Sequence, residues 1–237
     1  MASRAEPVAG MARPRLDGVG RAALSDFYFH SVRLVTVNVV WGLGAVVVAL
    51  VALTSPLLAI VLLPALAVPT VAIFRMAARI VRTDGDPTVR QVLSISPRTV
   101  GGAALAGTAF IGGLFMLATN AAIGLTGGDP FGWLLGTLAA WGFVALWCFA
   151  LVAWPLVVDP ARAGRPFLER LRSAAAVILA YPVPCLLLVT TVTVTAVLSA
   201  VLTVALLTMS LSFVALLACR VVYPLADRLD SATRPTS

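Results

Sequence analysis

Five polar but uncharged side chains lie inside long apolar stretches, where they could contact a ligand within a membrane. Asn38 and Asn120 offer amide groups, and Thr190, Thr191 and Thr193 offer hydroxyl groups. Such groups donate and accept hydrogen bonds but do not titrate near neutral pH. They could therefore hold a polar solute, or they could join two membrane helices. For the asparagines the sequence favours hydrogen bonding between helices, which is a common role of polar residues in bilayers.

The sequence contains little that could carry acid–base, nucleophilic or metal chemistry. His30 is its single histidine, and the apolar stretches contain no charged residue. The sequence also lacks an HExxH pair, an intramembrane aspartate pair and a Ser–His arrangement within those stretches. Cys148, Cys185 and Cys219 fall in apolar stretches and are expected to be reduced, packed thiols. We therefore expect a protein that is not an enzyme and that uses no metal and no cofactor.

The composition places the chain among polytopic membrane proteins. Of its 237 residues, 60% are hydrophobic and only 11% are charged, and its mean hydropathy is +1.02. In soluble domains charged residues alone make up about 25%. The net charge of +7 reflects 17 basic residues, all of them arginine, against 10 acidic ones. These arginines lack the interleaved aromatic residues of a nucleic-acid surface. We expect no nucleic-acid partner.

Uncharged stretches predict an all-α, polytopic helix bundle with six transmembrane helices. As one helix at about 1.5 Å per residue, the stretch 173–219 would extend roughly 70 Å, more than twice the ~30 Å hydrocarbon core of a bilayer. Two antiparallel spans fit this stretch, and 34–74 divides in the same way at Ser55-Pro56. The predicted spans are 34–54, 57–74, 100–123, 133–154, 174–195 and 199–219, in a membrane domain 21–223 between a disordered tail 1–20 and a tail 224–237.

The distribution of arginine predicts the orientation of the spans. All 17 arginines fall before span 1, between spans 2 and 3, between spans 4 and 5, or after span 6. Cytoplasmic loops carry an excess of basic residues, so both termini are expected in the cytoplasm. The predicted location is the bacterial cytoplasmic membrane. The first thirty residues lack the apolar core of a cleaved signal peptide, and span 1 is expected to direct insertion.

Small residues predict where helices approach each other closely. In span 3 they recur at spacings of four, three and four, and a second pair opens span 4. Small residues at such spacings let two membrane helices come together. The predicted packing seam consists of Gly102, Ala106, Ala109, Gly113, Gly132 and Gly136.

Arginines near the ends of the spans are candidate contacts for anionic lipid of the inner leaflet or for a protein partner. Three of them recur at i, i+4 and i+7 after span 2 and would lie on one face of a continued helix, with their side chains reaching toward headgroups. Partners of this kind include a transporter permease subunit or a second copy of the chain. The candidate residues are Arg75, Arg79, Arg82, Arg90, Arg170 and Arg172.

The order of features along residues 20 to 225 resembles the YesL family of bacterial integral membrane proteins. The resemblance is carried by TVNVVW at 36–41, LPALA at 63–67 and FRMAARIVR at 74–82, after an aromatic-rich start. Members of this family have no established activity, and many are encoded beside carbohydrate ABC transporters. The resemblance implies an accessory role in sugar uptake. The chain departs from the family at Val92 and Leu93, where members tend to carry aromatic residues.

Two hypotheses about function follow from these observations. The first is a non-catalytic accessory or assembly component of carbohydrate ABC transport that docks through the loops 75–98 and 159–172. The second is a small uncoupled permease for a neutral or lipid-like solute, with Asn38, Asn120 and the span 5 threonines as contacts. Copurification with a permease would favour the first, and solute flux by the isolated protein would favour the second.

Overall fold

The computed structural model describes residues 18–83, 97–201 and 209–233, and within these ranges the chain is helical without any β-strand. The all-α prediction is thus confirmed for the described residues. Short 3₁₀ turns at Leu63–Leu66 and Pro160–Arg162 join some of the α-helices. The α-helices are α1 (Val19–Phe29), α2 (Ser31–Thr54), α3 (Pro56–Leu62), α4 (Ala67–Thr83), α5 (Pro97–Thr126), α6 (Pro130–Val158), α7 (Phe167–Ala180), α8 (Pro182–Val201) and α9 (Leu211–Thr233).

Five helical segments within the described ranges are long and apolar enough to cross a membrane. At about 1.5 Å per residue, the 24 residues of α2 extend roughly 36 Å, which exceeds the ~30 Å hydrocarbon core. These segments are consistent with the predicted membrane protein. They are Ser31–Thr54, Leu57–Thr83, Leu105–Thr126, Pro130–Val158 and Pro182–Ser199.

The first two of these segments are separated where the sequence predicts a break. Ser55 leaves the helical conformation, and its hydroxyl accepts a hydrogen bond from the Leu58 backbone N–H at 3.5 Å. Pro56 then occupies the first helical position, where its missing N–H costs nothing. Pro64 lies in a 3₁₀ turn, because a proline inside a helix removes one backbone hydrogen bond.

The structure differs from the prediction around spans 5 and 6. The prediction places one span at 174–195, but the helix ends at Ala180 and α8 begins at Pro182. Tyr181 between them has φ −132° and ψ 61°, because a residue that precedes proline avoids the α-helical conformation. α8 continues through the expected turn at 196–199 to Val201. Most of the connection to α9 lies outside the described residues.

α9 extends beyond the predicted end of the membrane domain. It runs from Leu211 to Thr233, carries Arg220 near its middle and carries Asp227 and Asp230 in its second half. The segment 224–233, predicted as part of a tail, is therefore helical. The predicted disordered tail lies almost entirely in residues 1–17, outside the described ranges.

The two ends of the bundle differ in composition. We call the end that carries Arg82, Arg162 and Arg220 the arginine end, and the opposite end, with Ser55 and the turn 127–129, the bare end. The buried apolar core lies toward the arginine end and joins α4, the second half of α6 and α9. Among its largest fully buried side chains are Ile73, Met76, Leu156, Leu216, Tyr223 and Leu225.

Close helix contacts occur at part of the predicted packing seam. A Cβ at Gly136 would lie 2.8 Å from the Leu125 backbone nitrogen and 2.9 Å from the Gly124 carbonyl carbon, so α5 and α6 touch backbone to backbone there. A Cβ at Gly113 would lie 2.8 Å from Leu146. The remaining predicted members contribute less: Ala106 is buried, Ala109 is exposed, Gly102 has open space around it, and Gly132 has its nearest side-chain atom at 3.6 Å.

Candidate functional site

A cluster of charged side chains lies at the arginine end, which we call the arginine cluster. It contains Arg82, Arg162 and Arg165 together with Asp159, Asp227 and Asp230. Arg82 lies in the last turn of α4, and Asp159 to Arg165 follow directly after α6. Asp227 and Asp230 are three residues apart on α9 and therefore share one helix face. The three positive and three negative charges balance.

Asp159 is the most buried member of the arginine cluster. Its side chain is 0% exposed and accepts four hydrogen bonds. Oδ1 accepts from the Ala161 backbone N–H at 3.0 Å and from Arg82 Nε at 3.1 Å. Oδ2 accepts from Arg82 Nη2 at 2.7 Å and from Arg162 Nη1. A carboxylate has about four lone-pair sites, so the acceptor capacity of Asp159 is fully used.

Arg82 joins α4 to α9 as well as to Asp159. Its Nη1 donates to Asp227 at 2.6 Å, and its guanidinium lies 4.3 Å from the centre of the Tyr223 ring. Such a position over an aromatic face is attractive for a cation. The Tyr223 hydroxyl donates to the Pro155 carbonyl at 3.2 Å, one of the last four carbonyls of α6, which have no partner within the helix.

The two carboxylates of α9 complete the cluster. Asp227 accepts from Arg162 Nη2 at 2.8 Å, and Asp230 accepts from Arg162 Nη2 at 2.9 Å and from Arg165 Nη2 at 2.9 Å. Burial alone would raise the pKa of each carboxyl group, but the hydrogen bonds from these arginines outweigh burial and hold both pKa values below the usual range. Asp227 and Asp230 are therefore ionised groups paired with arginine, which suits them to hold α9 against the neighbouring segments.

Arg170 folds the segment after α6 back onto that helix. Nη1 donates to the Val157 carbonyl at 2.6 Å, Nη2 to the Ala163 carbonyl at 3.1 Å and Nε to the Arg165 carbonyl at 3.0 Å. A cation at the carboxyl end of a helix also compensates the negative end of the helix dipole. Arg170 thus holds the segment 157–166 in place through its carbonyl groups.

A polar pocket, which we call the basic pocket, separates α4 from this segment. It has a volume of about 210 Å³. In the described part of the chain, neither Arg75 nor Arg79 forms a salt bridge, and Nη1 of Arg75 is buried without a hydrogen-bond partner. The lining residues are Val71, Arg75, Arg79, Val157, Val158, Asp159, Pro160, Ala163 and Arg170.

A second cavity, the apolar cavity, lies inside the bundle among α2, α4, α5, α6, α8 and the start of α9. Its volume is about 270 Å³. Phe74 and Phe110 pack on Trp154, with ring centres 6.0 and 6.2 Å from it. No charged residue occurs among its described lining residues. They include Trp41, Thr70, Phe74, Phe110, Trp147, Ala150, Trp154, Val192, Ala196 and Ser210.

The polar groups beside the apolar cavity are already bonded within the protein. Trp41 Nε1 donates to the Thr70 hydroxyl at 3.0 Å, and that hydroxyl donates to the Leu66 carbonyl at 2.7 Å. Trp147 Nε1 donates to the Thr193 hydroxyl at 3.3 Å. A molecule in this cavity would therefore meet aromatic and aliphatic surface.

The predicted polar contacts are distributed over the bundle and form no common site. Asn38 is fully buried, and its Oδ1 accepts from the Ser212 backbone N–H at 3.0 Å and the Ser212 hydroxyl at 3.3 Å. It therefore joins α2 to α9. Asn120 is exposed on α5. The hydroxyls of Thr190 and Thr191 donate to carbonyls of their own helix at 2.9 and 2.8 Å.

The structure separates the predicted arginine contacts. Arg82 and Arg170 form hydrogen bonds within the protein. Arg75 and Arg79 line the basic pocket. Arg172 is exposed on α7. Arg90 lies outside the described residues.

Sequence reasoning missed the acidic half of the arginine cluster. It assigned Asp159 to no ion pair and placed Asp227 and Asp230 in a tail. The available signal was the i, i+3 spacing of two aspartates in a segment whose other charges are basic. In the described ranges, His, Cys, Asp and Glu form no group that could hold a metal ion.

Comparison with known proteins provides no identification. The chain matches no family model, no curated protein and no solved structure.

Proposed function

We propose that the protein is a six-span protein of the bacterial cytoplasmic membrane whose arginine end and both termini face the cytoplasm. Support comes from the ion pair between α1 and α9, in which Arg220 Nη2 lies 2.6 Å from Asp26 Oδ2. This contact brings the first and last described helices to the same end. Support also comes from the direction of α9. It begins beside Asn38 of α2, where Ser212 is hydrogen-bonded, and runs from there toward the arginine end. The excess of arginine at that end fits the positive-inside rule.

Within this topology, we propose that the protein binds a neutral, largely apolar or lipid-like molecule and lets it pass without coupling to an ion gradient. The observation that carries this proposal is the aromatic-lined cavity of about 270 Å³ inside the bundle. Ligand sites are typically apolar and aromatic with few polar groups. The volume is close to the lower end of the usual range of about 300–1,000 Å³ for drug-sized ligands, which favours a small molecule or one acyl segment.

The chemistry of the cavity lining favours binding over transformation. Its polar members are Thr70, Ser210 and the indole N–H groups of three tryptophans. None of these titrates near neutral pH, so the lining offers no general acid or base. We therefore propose a non-catalytic role, and an uncoupled one, because a proton-coupled pathway normally contains an ionisable group within the membrane.

Tryptophan fluorescence tests occupancy of the apolar cavity. The purified protein would carry Trp133→Phe and Trp141→Phe, which remove two exposed indoles and retain the three that line the cavity. We expect 1-bromohexane, a neutral apolar quencher, to quench the remaining fluorescence with a saturable component. Ala150→Leu and Ala196→Leu would fill the cavity and remove that component.

The matched control for cavity filling is Ala145→Leu, which adds the same volume on an exposed position of α6. It should leave saturable quenching unchanged. Quenching that is linear in probe concentration, or equal in Ala145→Leu and Ala150→Leu, would refute binding in the cavity. Flux of the same probe into liposomes that contain only this protein would separate transport from binding.

One observation favours the accessory role that the family resemblance implies. Arg170 and the arginine cluster fix the segment 159–166, and α7 then begins with Phe167 and Leu168, which are 37% and 57% exposed. A fixed charged surface beside exposed apolar side chains is a plausible protein-docking surface. Copurification of a sugar permease that is lost in Leu168→Glu, but kept in Leu179→Glu, would support this role. Equal recovery with both variants would contradict it.

A further inference from the structure

The basic pocket contains positive charge that no other described residue neutralises. Arg75 and Arg79 are one helical turn apart on α4, and both line the pocket. Like charges at this spacing destabilise a helix, so their placement needs a compensating interaction. Within the described residues no carboxylate pairs with either side chain.

Asp159, the one carboxylate among the described lining residues, cannot supply this compensation. Asp159 lines the pocket, but its four lone-pair sites already accept from Arg82, Arg162 and the Ala161 backbone. Nη1 of Arg75 remains buried without a hydrogen-bond partner. A buried donor without an acceptor is costly, and the cost is greater for a charged group.

A third guanidinium completes the pocket. Arg170 has five N–H groups, and three of them donate to backbone carbonyls. Two therefore remain for a ligand. Its three bonds also hold it in place, which makes it a preorganised donor. The pocket, with a volume of about 210 Å³, is thus lined by three guanidinium groups. Two of them form no ion pair with a described residue, and the third, Arg170, has two N–H groups left to donate.

We propose that the basic pocket binds a phosphate group, held by Arg75 and Arg79 with help from Arg170. Guanidinium groups match phosphate oxygens in a planar, two-bonded geometry, and pairs of this kind are among the strongest hydrogen bonds in proteins. The pocket is smaller than the usual site for a drug-sized ligand, so it would take a headgroup-sized anion. The proposal does not depend on occupancy of the apolar cavity.

Two sources could supply this phosphate. The pocket lies where α4 and α6 reach the arginine end, the level at which lipid headgroups would lie in the proposed topology, and basic pockets between membrane helices on the cytoplasmic side bind such headgroups. A soluble phosphate compound would present the same oxygens. The experiment therefore has one arm for each source.

Native mass spectrometry of the full-length, delipidated protein tests the proposal. One arm titrates dihexanoyl phosphatidylglycerol, and the other titrates inorganic phosphate. We expect one tight phosphate-bearing ligand per chain, with affinity about 10-fold to 100-fold weaker in the Arg75→Gln, Arg79→Gln double variant, because each lost hydrogen bond to a charged group is substantial. Tight binding of the lipid alone identifies a headgroup, and equal binding of inorganic phosphate identifies a soluble source.

The control separates the pocket from general attraction to positive charge. Arg21→Gln changes the charge at the same end of the bundle on an exposed side chain and should leave affinity unchanged. Equal affinity in wild type and the double variant, or an equal loss in Arg21→Gln, overturns the proposal. If the double variant does not fold, Arg75→Lys with Arg79→Lys decides, since it keeps the charge but loses the two-bonded geometry. Wild-type affinity in the lysine pair would then overturn the proposal.

Discussion

The arginine end and the bare end of this bundle are held together in different ways. At the arginine end, α4, α6 and α9 bury most of their side chains, and the arginine cluster joins them across the surface of that core. At the bare end, the large side chains of α6 such as Phe131, Trp133 and Leu134 are exposed, and α5 and α6 touch chiefly through Gly124 and Gly136. The arginine end is therefore held by ion pairs and buried side chains, and the bare end by close contact between the backbones of α5 and α6.

This difference shows what a membrane bundle requires where it meets water. In a bilayer, lipid tails are as apolar as leucine side chains, so helices associate through close packing and hydrogen bonds rather than through the hydrophobic effect. Ion pairs are available only near the aqueous ends. The arginine end uses them and encloses the basic pocket, while the exposed apolar residues of the bare end suit contact with lipid.

Removal of Asp159 should have the largest effect on stability. Asp159→Asn leaves Arg162 buried without its closest counterion, and loss of one member of a buried ion pair costs about 3–5 kcal/mol. Unfolding by SDS titration in mixed micelles would measure this loss.

The matched control for Asp159 is Asp129 at the bare end. Asp129 caps α6 through a bond from the Gly132 N–H at 2.9 Å, and no ion pair of Asp129 occurs among the described residues. Asp129→Asn should therefore cost less than about 1 kcal/mol, because asparagine is an equally good cap. Equal losses at the two aspartates would contradict the difference between the ends.

The glycine contact should be the most sensitive feature of the bare end. Gly136→Ala places a Cβ against backbone atoms of α5, which cannot rotate away as a side chain would, so the helices must separate at a cost of about 1–3 kcal/mol. Gly112→Ala, at a position with open space, should cause no loss. The same SDS titration applies, and an unaffected Gly136→Ala protein would show that this contact contributes little.

Loss of the Tyr223 hydroxyl should have a smaller effect. Tyr223→Phe removes the hydrogen bond to the Pro155 carbonyl but keeps the ring beneath Arg82, so we expect a loss of about 1 kcal/mol. Tyr28→Phe, at a tyrosine that is 76% exposed, should be neutral. Thermal unfolding of the two variants side by side would measure the contrast.

The smallest expected effect is the pH dependence from Asp227. Its pKa in the folded protein lies below the unfolded value of about 3.9, so its stabilisation is present above that pH and is lost as pH falls through the folded pKa. Its side chain is 46% exposed, which limits the contribution to less than about 1 kcal/mol. Asp227→Asn should be slightly less stable than wild type at pH 7, and the difference should shrink as the pH falls below the unfolded pKa and be lost once the pH is below the folded pKa. A constant difference would contradict this assignment.

Much of the fold could be predicted because a long uncharged stretch indicates a helix that crosses the bilayer. The break at Ser55, the helix that carries Arg75 to Arg82 and the turn before Pro130 all follow from local residue types. The break at Tyr181 was missed because prolines are tolerated within spans, so Pro182 alone did not indicate a helix end. Local pattern also could not show that Arg82 pairs with Asp227, since 145 residues separate them.

The candidate site was predicted only in part for the same reason. Arg75 and Arg79 could be named from their helical spacing. The full use of the acceptor sites of Asp159 could not be predicted, because it depends on Arg82, which is 77 residues away along the chain. Asn38 was identified as a polar residue in a span, but its partner Ser212 is 174 residues away.

The central claim, that the arginine end faces the cytoplasm and the bare end faces outward, is tested most directly by cysteine labelling in intact cells. In a cysteine-free background, Thr126→Cys marks the bare end and Ala232→Cys marks the arginine end, both at exposed positions. A membrane-impermeant maleimide should label Thr126→Cys in intact cells and Ala232→Cys only after permeabilisation. Labelling of Ala232→Cys in intact cells would contradict the proposed topology and, with it, the headgroup position of the basic pocket.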